Sequence, residues 1–308
     1  MNREKQRKKK GKFLTISLGT HTLEAMKEVL NDQTITSLRI DDEGDDPEVR
    51  FEWRKRQKSF HLGWLSRLRG LQEIVIDADV WFNSLTELDY LDTISLKRLS
   101  LRISHKNIYG YRHSHSTYGW FEPLTRCKAL EELRIRTDHY YLDFSILSKC
   151  ENLRSIDLSH SDIVGITLPS LSFLESIDLS HTNIVSKYMM ENWWASRKKE
   201  FLWVSYPEDR MSIGKMPLAA SSYTVVGLDD LLDLSQLRGC SSLKTIDLSN
   251  CLKLHSIDLS VLSGTGVRPR VIMTGTPIHQ YCVDGFEGDV VFPESNGEGG
   301  RPQMITKM

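Results

Sequence analysis

The chain is 308 residues long, 40% hydrophobic and 26% charged, with a formal net charge of −1 and five cysteines. Near-neutral charge removes any global pull toward nucleic acid or anionic membrane, no apolar stretch is long enough to span a bilayer, and an odd number of scattered cysteines argues against a disulfide scaffold. At this length a single compact core nears its limit, whereas an array that grows by adding like units does not.

Residues 1–12 are dense in Lys and Arg and read as an unstructured basic arm, without the apolar segment of a secretory signal. A short-strand frame then recurs at Phe13-Ile16-Leu18, Ile35-Leu38-Ile40, Leu71-Ile74-Ile76, Leu96-Leu99-Leu101, Leu130-Leu133-Ile135, Leu153-Ile156-Leu158 and Leu174-Ile177-Leu179. It continues through Phe201-Val204-Tyr206, a strand near Tyr223 to Val225, Leu243-Ile246-Leu248 and a degenerate last copy at Val271-Met273. Between early strands, Thr22 is placed to cap a helix over Leu23 to Leu30, and Ser84 one over Leu85 to Leu91. Later connections are short and punctuated by Ser and Pro, as at Thr167-Leu168-Pro169-Ser170.

The best copies are LDFSILSKCENLRSIDLSHSDI, ITLPSLSFLESIDLSHTNI and LDLSQLRGCSSLKTIDLSNC. Within Ser155-Ile156-Asp157-Leu158-Ser159 the apolar residues alternate with polar ones, so one strand face must be buried and the other left wet. A lone strand cannot bury that face. Stacked neighbours do so, and a period in the low twenties therefore predicts a solenoid.

Three segments interrupt the period. Residues 41–59 join an acidic run to a basic one and read as a solvated loop. Residues 104–123 crowd Tyr109, Tyr111, Tyr118, Trp120 and Phe121 among Arg and His, the palette of protein-contact loops; a self-packed loop covering an irregular repeat is an equal reading. Residues 186–200 place Val185, Tyr188, Met189 and Trp193 on one helical face and predict a convex helix. Residues 13–283 thus form the array, and 284–308 are a cap remnant, supplied by Phe286, Val290 and Val291, with a flexible tail from Glu294.

The segment from Leu174 to Ile184, Leu-x-x-Ile-x-Leu-x-x-Thr-x-Ile, resembles the leucine-rich-repeat family, and Leu153 to Ile163 does so with Ser at the same inner position. The family's buried Asn is replaced by Ser161, Thr182, Cys251 and Thr276, which bond turn backbone with fewer groups. The Ile-Asp-Leu-Ser phrasing with a preceding Cys is most similar to a prokaryotic, especially archaeal, cytoplasmic style of repeat. The resemblance implies an α/β horseshoe with one parallel sheet on its concave face, helices or short turns on the convex face, and interaction as the class of activity.

On the concave face the middle strand position runs Ser17, Arg39, Val75, Ser100, Arg134, Asp157, Asp178, Ser205, Asp247 and Ile272. Arg98, Arg102, Arg134 and Arg136 should cluster on adjoining strands, next to Asp157 and Asp178 with His160 and His181. A basic patch abutting an acidic one suits a protein partner better than nucleic acid, which wants an unbroken basic track. Stacked carboxylates beside histidines are also where catalysis would be sought. Yet an open, wet face is a poor catalytic site, and no nucleotide-binding or nucleophile motif accompanies it.

Cys127, Cys150 and Cys240 each precede the repeat-opening leucine by three residues, where Leu68 and Leu171 stand in other copies, and read as small buried hydrophobes. Reduced thiols point to the cytoplasm. His105, His113 and His115 lack Cys or carboxylate partners, so neither metal nor other cofactor is expected. The expectation is a cytoplasmic, non-catalytic scaffold binding a protein through the concave face and the 104–123 loop. The alternative is nucleic-acid or anionic-surface binding led by the basic arm.

Overall fold

A computed structural model describes residues 12–17, 32, 34–41, 68–77, 95–103, 121–137, 141–185, 203–205, 212–214, 223–225, 232–292 and 303–304. The predicted helices after Thr22, Ser84 and Val185, the 41–59 loop apart from Asp41, and the basic arm before Lys12 lie outside the described residues.

Ten strands form one parallel sheet in chain order: Lys12–Ser17, Ile35–Asp41, Glu73–Asp77, Arg98–Ile103, Glu132–Thr137, Ser155–Asp157, Ser176–Asp178, Thr245–Asp247, Arg270–Ile272 and Asp289–Val291. Their inner faces stack in columns. Leu38, Ile74, Leu99, Leu133, Ile156, Ile177, Ile246 and Val271 lie side by side, and all are at most 2% exposed. Full burial of each such side chain contributes about 1.5–3 kcal/mol. Since the buried face of each strand is covered by the next repeat, stability accrues along the array.

Five of the described repeats close by the same turn. The repeat-opening N–H donates to the carbonyl three residues earlier: Leu71 to Leu68 at 2.9 Å, Leu130 to Cys127 at 3.0 Å, Leu153 to Cys150 at 3.0 Å, Leu174 to Leu171 at 3.1 Å and Leu243 to Cys240 at 3.0 Å. Single 3-10 turns at Glu122–Arg126, Ser145–Lys149 and Leu234–Gly239 lead into those cysteines, each of which returns its N–H to the turn. Ser260–Leu262 is a shorter one. Behind the main sheet, Tyr141–Asp143 pairs in parallel with Gly165–Thr167. Ser256–Asp258, Gln280–Cys282 and Gln303–Met304 form a further parallel set. The phrase Ser-Ile-Asp-Leu-Ser therefore serves both sides of the solenoid: at Ser155 and Ser176 on the main sheet, at Ser256 behind it.

Four placements differ from the sequence reading. In the first strand Thr15, not Ser17, lies opposite Arg39, and Leu14 and Ile16 pair with Leu38 and Ile40, the partners that the frame gave to Ile16 and Leu18. A slip of two residues leaves the same face inward, so alternation alone cannot choose between the two registers. Trp203–Ser205 is not a member of the main sheet; it is the centre of a separate antiparallel sheet with Ser212–Gly214 and Tyr223–Val225. The array steps from Asp178 directly to Asp247. Tripling a connection adds only about 1 kcal/mol of closure entropy, so the step is physically inexpensive. Phe121, read as part of a contact loop, is fully buried with its ring 4.6 Å from that of Phe144. Finally, the tail read as flexible contains the pairing of Gln303–Met304 with Gln280 and Tyr281.

Candidate functional site: the polar face of the main sheet

The concave face is built from alternate residues of the ten strands, and parallel register fixes which side chains meet. Arg98 lies opposite Glu73 and Glu132, Arg102 opposite Arg136, and Arg134 opposite Ser100 and Asp157. The four arginines do cluster on adjoining strands, but most are engaged. Arg98 Nε donates to Glu73 Oε1 at 3.1 Å, and Ser37 Oγ donates to the other oxygen at 2.6 Å. Together Arg98 and then Ser37 hold the Glu73 carboxyl below its ordinary range. Arg102 stands 3.9 Å from Asp77, which Arg39 also reaches while contacting Asp41. Arg134 Nε lies 3.0 Å from Asp157 Oδ2, close enough for an ion pair but off the line of a hydrogen bond. Arg136 is exposed, with no ion pair among the described residues.

Asp157 and Asp178 are side by side, as the repeat requires, and Asp247 completes a row of three. Sequence reasoning had put Ser205 between the last two. The shared Asp-Leu-Ser phrase was the signal, hidden by a spacing of 69 residues where the preceding step is 21. One oxygen of each carboxylate is committed to its own turn. Asp157 Oδ1 accepts from Ser159 N at 2.9 Å and Ser159 Oγ at 2.7 Å; Asp178 and Asp247 accept from Ser180 N and Ser249 N, each at 2.9 Å. Asp143, Asp233 and Asp258 cap turns behind the sheet in the same way. The aspartates are thus turn-forming groups first, which accounts for their repetition without any acid–base chemistry.

His160 and His181 follow those turns with φ of 60° and 58°, Asn250 with 57° and Gly275 with 72°. This left-handed column puts the two imidazoles in a parallel stack, centroids 4.3 Å apart, on the strand-exit rim. Asn250 Nδ2 lies 3.3 Å from His181 Nε2. One residue further, the small groups at the inner turn position are buried and bonded. Ser161 accepts from Thr137 N and donates to Ile135 O; Thr182 and Cys251 both donate to Leu179 O; Thr276 donates to Leu248 O and accepts from Cys251 N. Ser161, Cys251 and Thr276 therefore bond the backbone of the preceding repeat, while Thr182 bonds back to its own.

All five cysteines are buried, and none forms a disulfide. Burial pushes the Cys150 thiol up to about 11 and raises Cys240 and Cys251 as well, which disfavours thiolate chemistry. Tyr109, Tyr111, Trp120 and the three histidines of the 104–123 region lie outside the described residues. Among the described residues no group of three or more His, Cys, Asp or Glu is arranged to hold a metal, and no helix is long and apolar enough to cross a membrane.

No protein-family model matches the chain, and no curated protein matches it. Among solved structures it is similar to a leucine-rich-repeat protein of Leptospira interrogans, with TM-score 0.47 and 14% identity over 91% of this chain and 53% of that one. It is also similar to the TLR13–ssRNA13 complex, with TM-score 0.39 and 11% identity over 96% of this chain and 35% of that one. The chain spans about half the length of the first and about a third of the second.

Proposed function

We propose that this leucine-rich-repeat solenoid is a non-catalytic scaffold that binds a protein partner through the concave face of its ten-stranded sheet, with the 104–123 loop contributing at the rim. The observation that carries the reading is the in-register polar face itself. Ion pairs between strands hold Arg98 and Arg134 in place before any partner arrives. Side chains already ordered lose little entropy on binding. Arg136 and the outer oxygens of Asp178 and Asp247 stand beside them without partners among the described residues, offering both signs of charge. Asp157, Asp178, His160 and His181 would then act as contact groups rather than as acids and bases. Five buried cysteines outside any disulfide support a reducing compartment, and hence a cytoplasmic location.

A photo-crosslinking residue placed at Ser100 or Thr245, on the concave face, is expected to capture one protein. The same residue at Ser148 or Arg238, on the back, should capture none of it. Equal capture from the back positions overturns the reading. Binding led by the basic arm would instead vanish on removal of residues 1–12 and fall steeply with salt.

A further inference from the structure

We infer that residues 186–231 are an accessory module grafted into a finished array, separable from the solenoid, and that concave-face binding belongs to the array alone. The second half of that statement rests on the proposed function; the first does not. The two ends of the segment meet: Leu232 N donates to Val185 O at 3.0 Å. Around that point the array is closed at every level. Ser176, Ile177 and Asp178 pair in register with Thr245, Ile246 and Asp247, and the ladder runs on through Leu179 N to Asp247 O and His181 N to Ser249 O, both 2.8 Å.

Inside, Cys251 Sγ donates to Leu179 O at 3.1 Å, and Leu171 N donates to Cys240 Sγ at 3.4 Å. Leu168 N donates to Gln236 Oε1 at 2.7 Å, so the backs of the two repeats are also joined. At the strand-entry edge Glu175 bonds Arg154 on one side of the seam and Lys244 on the other. No position is left for another strand between these two. The segment that leaves at Val185 obeys a different pairing rule, since its own three strands are antiparallel to their neighbours while the main sheet is parallel throughout. A unit with its own sheet, entered and left through adjacent backbone groups, is the geometry in which insertion and removal are tolerated.

The test compares the full chain with two deletion proteins in which Val185 is joined to Leu232 through two or four glycines. Cys240 and Cys251 flank the seam and are fully buried, so their reaction with an aromatic disulfide reagent reports whether the seam is closed. The expected result is that at least one deletion protein unfolds cooperatively in urea, with a midpoint within about 0.5 M of the full chain and with both thiols protected in native buffer. Thiols that react at the unfolded rate with both linkers overturn the inference. Crosslinking from Ser100 is then repeated on the folded deletion protein. Retained capture of the same partner supports the partition, and loss of capture overturns it. Failure of the concave-face reading itself would already be visible as absent or unselective capture in the full chain.

Discussion

At the scale of single residues, the repeat depends on one backbone conformation that side chains tolerate poorly. His160, His181, Asn250 and Gly275 all sit at positive φ, where an L-residue other than glycine costs roughly 1–2 kcal/mol. A Cβ on Gly275 would collide with Asn250 Oδ1. Gly275→Ala is therefore expected to lower unfolding free energy by about 1–3 kcal/mol, while His181→Gly should leave it unchanged or raise it by up to about 1 kcal/mol; urea titration of both variants reads the difference. The turn aspartates give a second contrast. Asp178→Asn keeps an acceptor for Ser180 N, and Asp178→Ala does not. Alanine should cost about 1 kcal/mol more than asparagine, and equal losses would show that the charge, not the turn bond, is what stabilises. The buried hydroxyl and thiol positions were legible in the sequence because they recur at a fixed offset from each strand. The left-handed column was not, because histidine is no sequence signal for positive φ.

At the scale of elements, adjacent repeats are keyed by charge at their strand-entry edge. Lys97 pairs with Glu131 at 3.0 Å, and Glu175 bridges Arg154 and Lys244. Such exposed pairs contribute little stability singly, but opposite signs on neighbouring strands favour the observed register over a slipped one. The hydrogen bonds from Lys244 and Arg154 hold the Glu175 carboxyl below its ordinary value of 4.5, as those from Arg98 and Ser37 do for Glu73. A carboxyl depressed in the folded state contributes stability above its unfolded value and loses it as pH falls through the folded one. Stability is accordingly expected to decline from about pH 4.5 downward, with a shallower decline in Glu73→Gln. Denaturant midpoints measured from pH 6 to pH 3 check this, and an unchanged slope in the variant refutes it. The same scale explains why the first strand was misregistered. Lys12–Ser17 keeps its inward face under a two-residue slip, and only pairing with the next strand selects one register.

For the whole molecule, burial is uneven along the array. Ile156, Ile177 and Ile246 are at most 1% exposed, whereas Val290 and Val291 in the last strand of the sheet are only partly covered. In a solenoid each repeat is held mainly by its neighbours, so the central strands should open least often. Amide hydrogen exchange is expected to be on the order of tenfold or more slower at Ile156, Ile177 and Ile246 than at Val290. Uniform protection from end to end would instead indicate a single cooperative unit.

The sequence alone determined the solenoid, the inward columns, the side-by-side placement of Asp157 with Asp178 and of Arg102 with Arg136, and the buried role of Cys127, Cys150 and Cys240. Each follows from a local period, because a stripe that one repeat cannot bury must be covered by its neighbour. Tertiary structure alone decided which repeats are neighbours. That Asp247 adjoins Asp178, that Trp203–Ser205 stands apart, that Phe121 is core, and that Ser256–Asp258 lies behind the sheet are matters of contact between segments distant in the chain. A strand-like phrase specifies which of its faces turns inward, but not the sheet it joins; pairing partners and closure of the seam settle that.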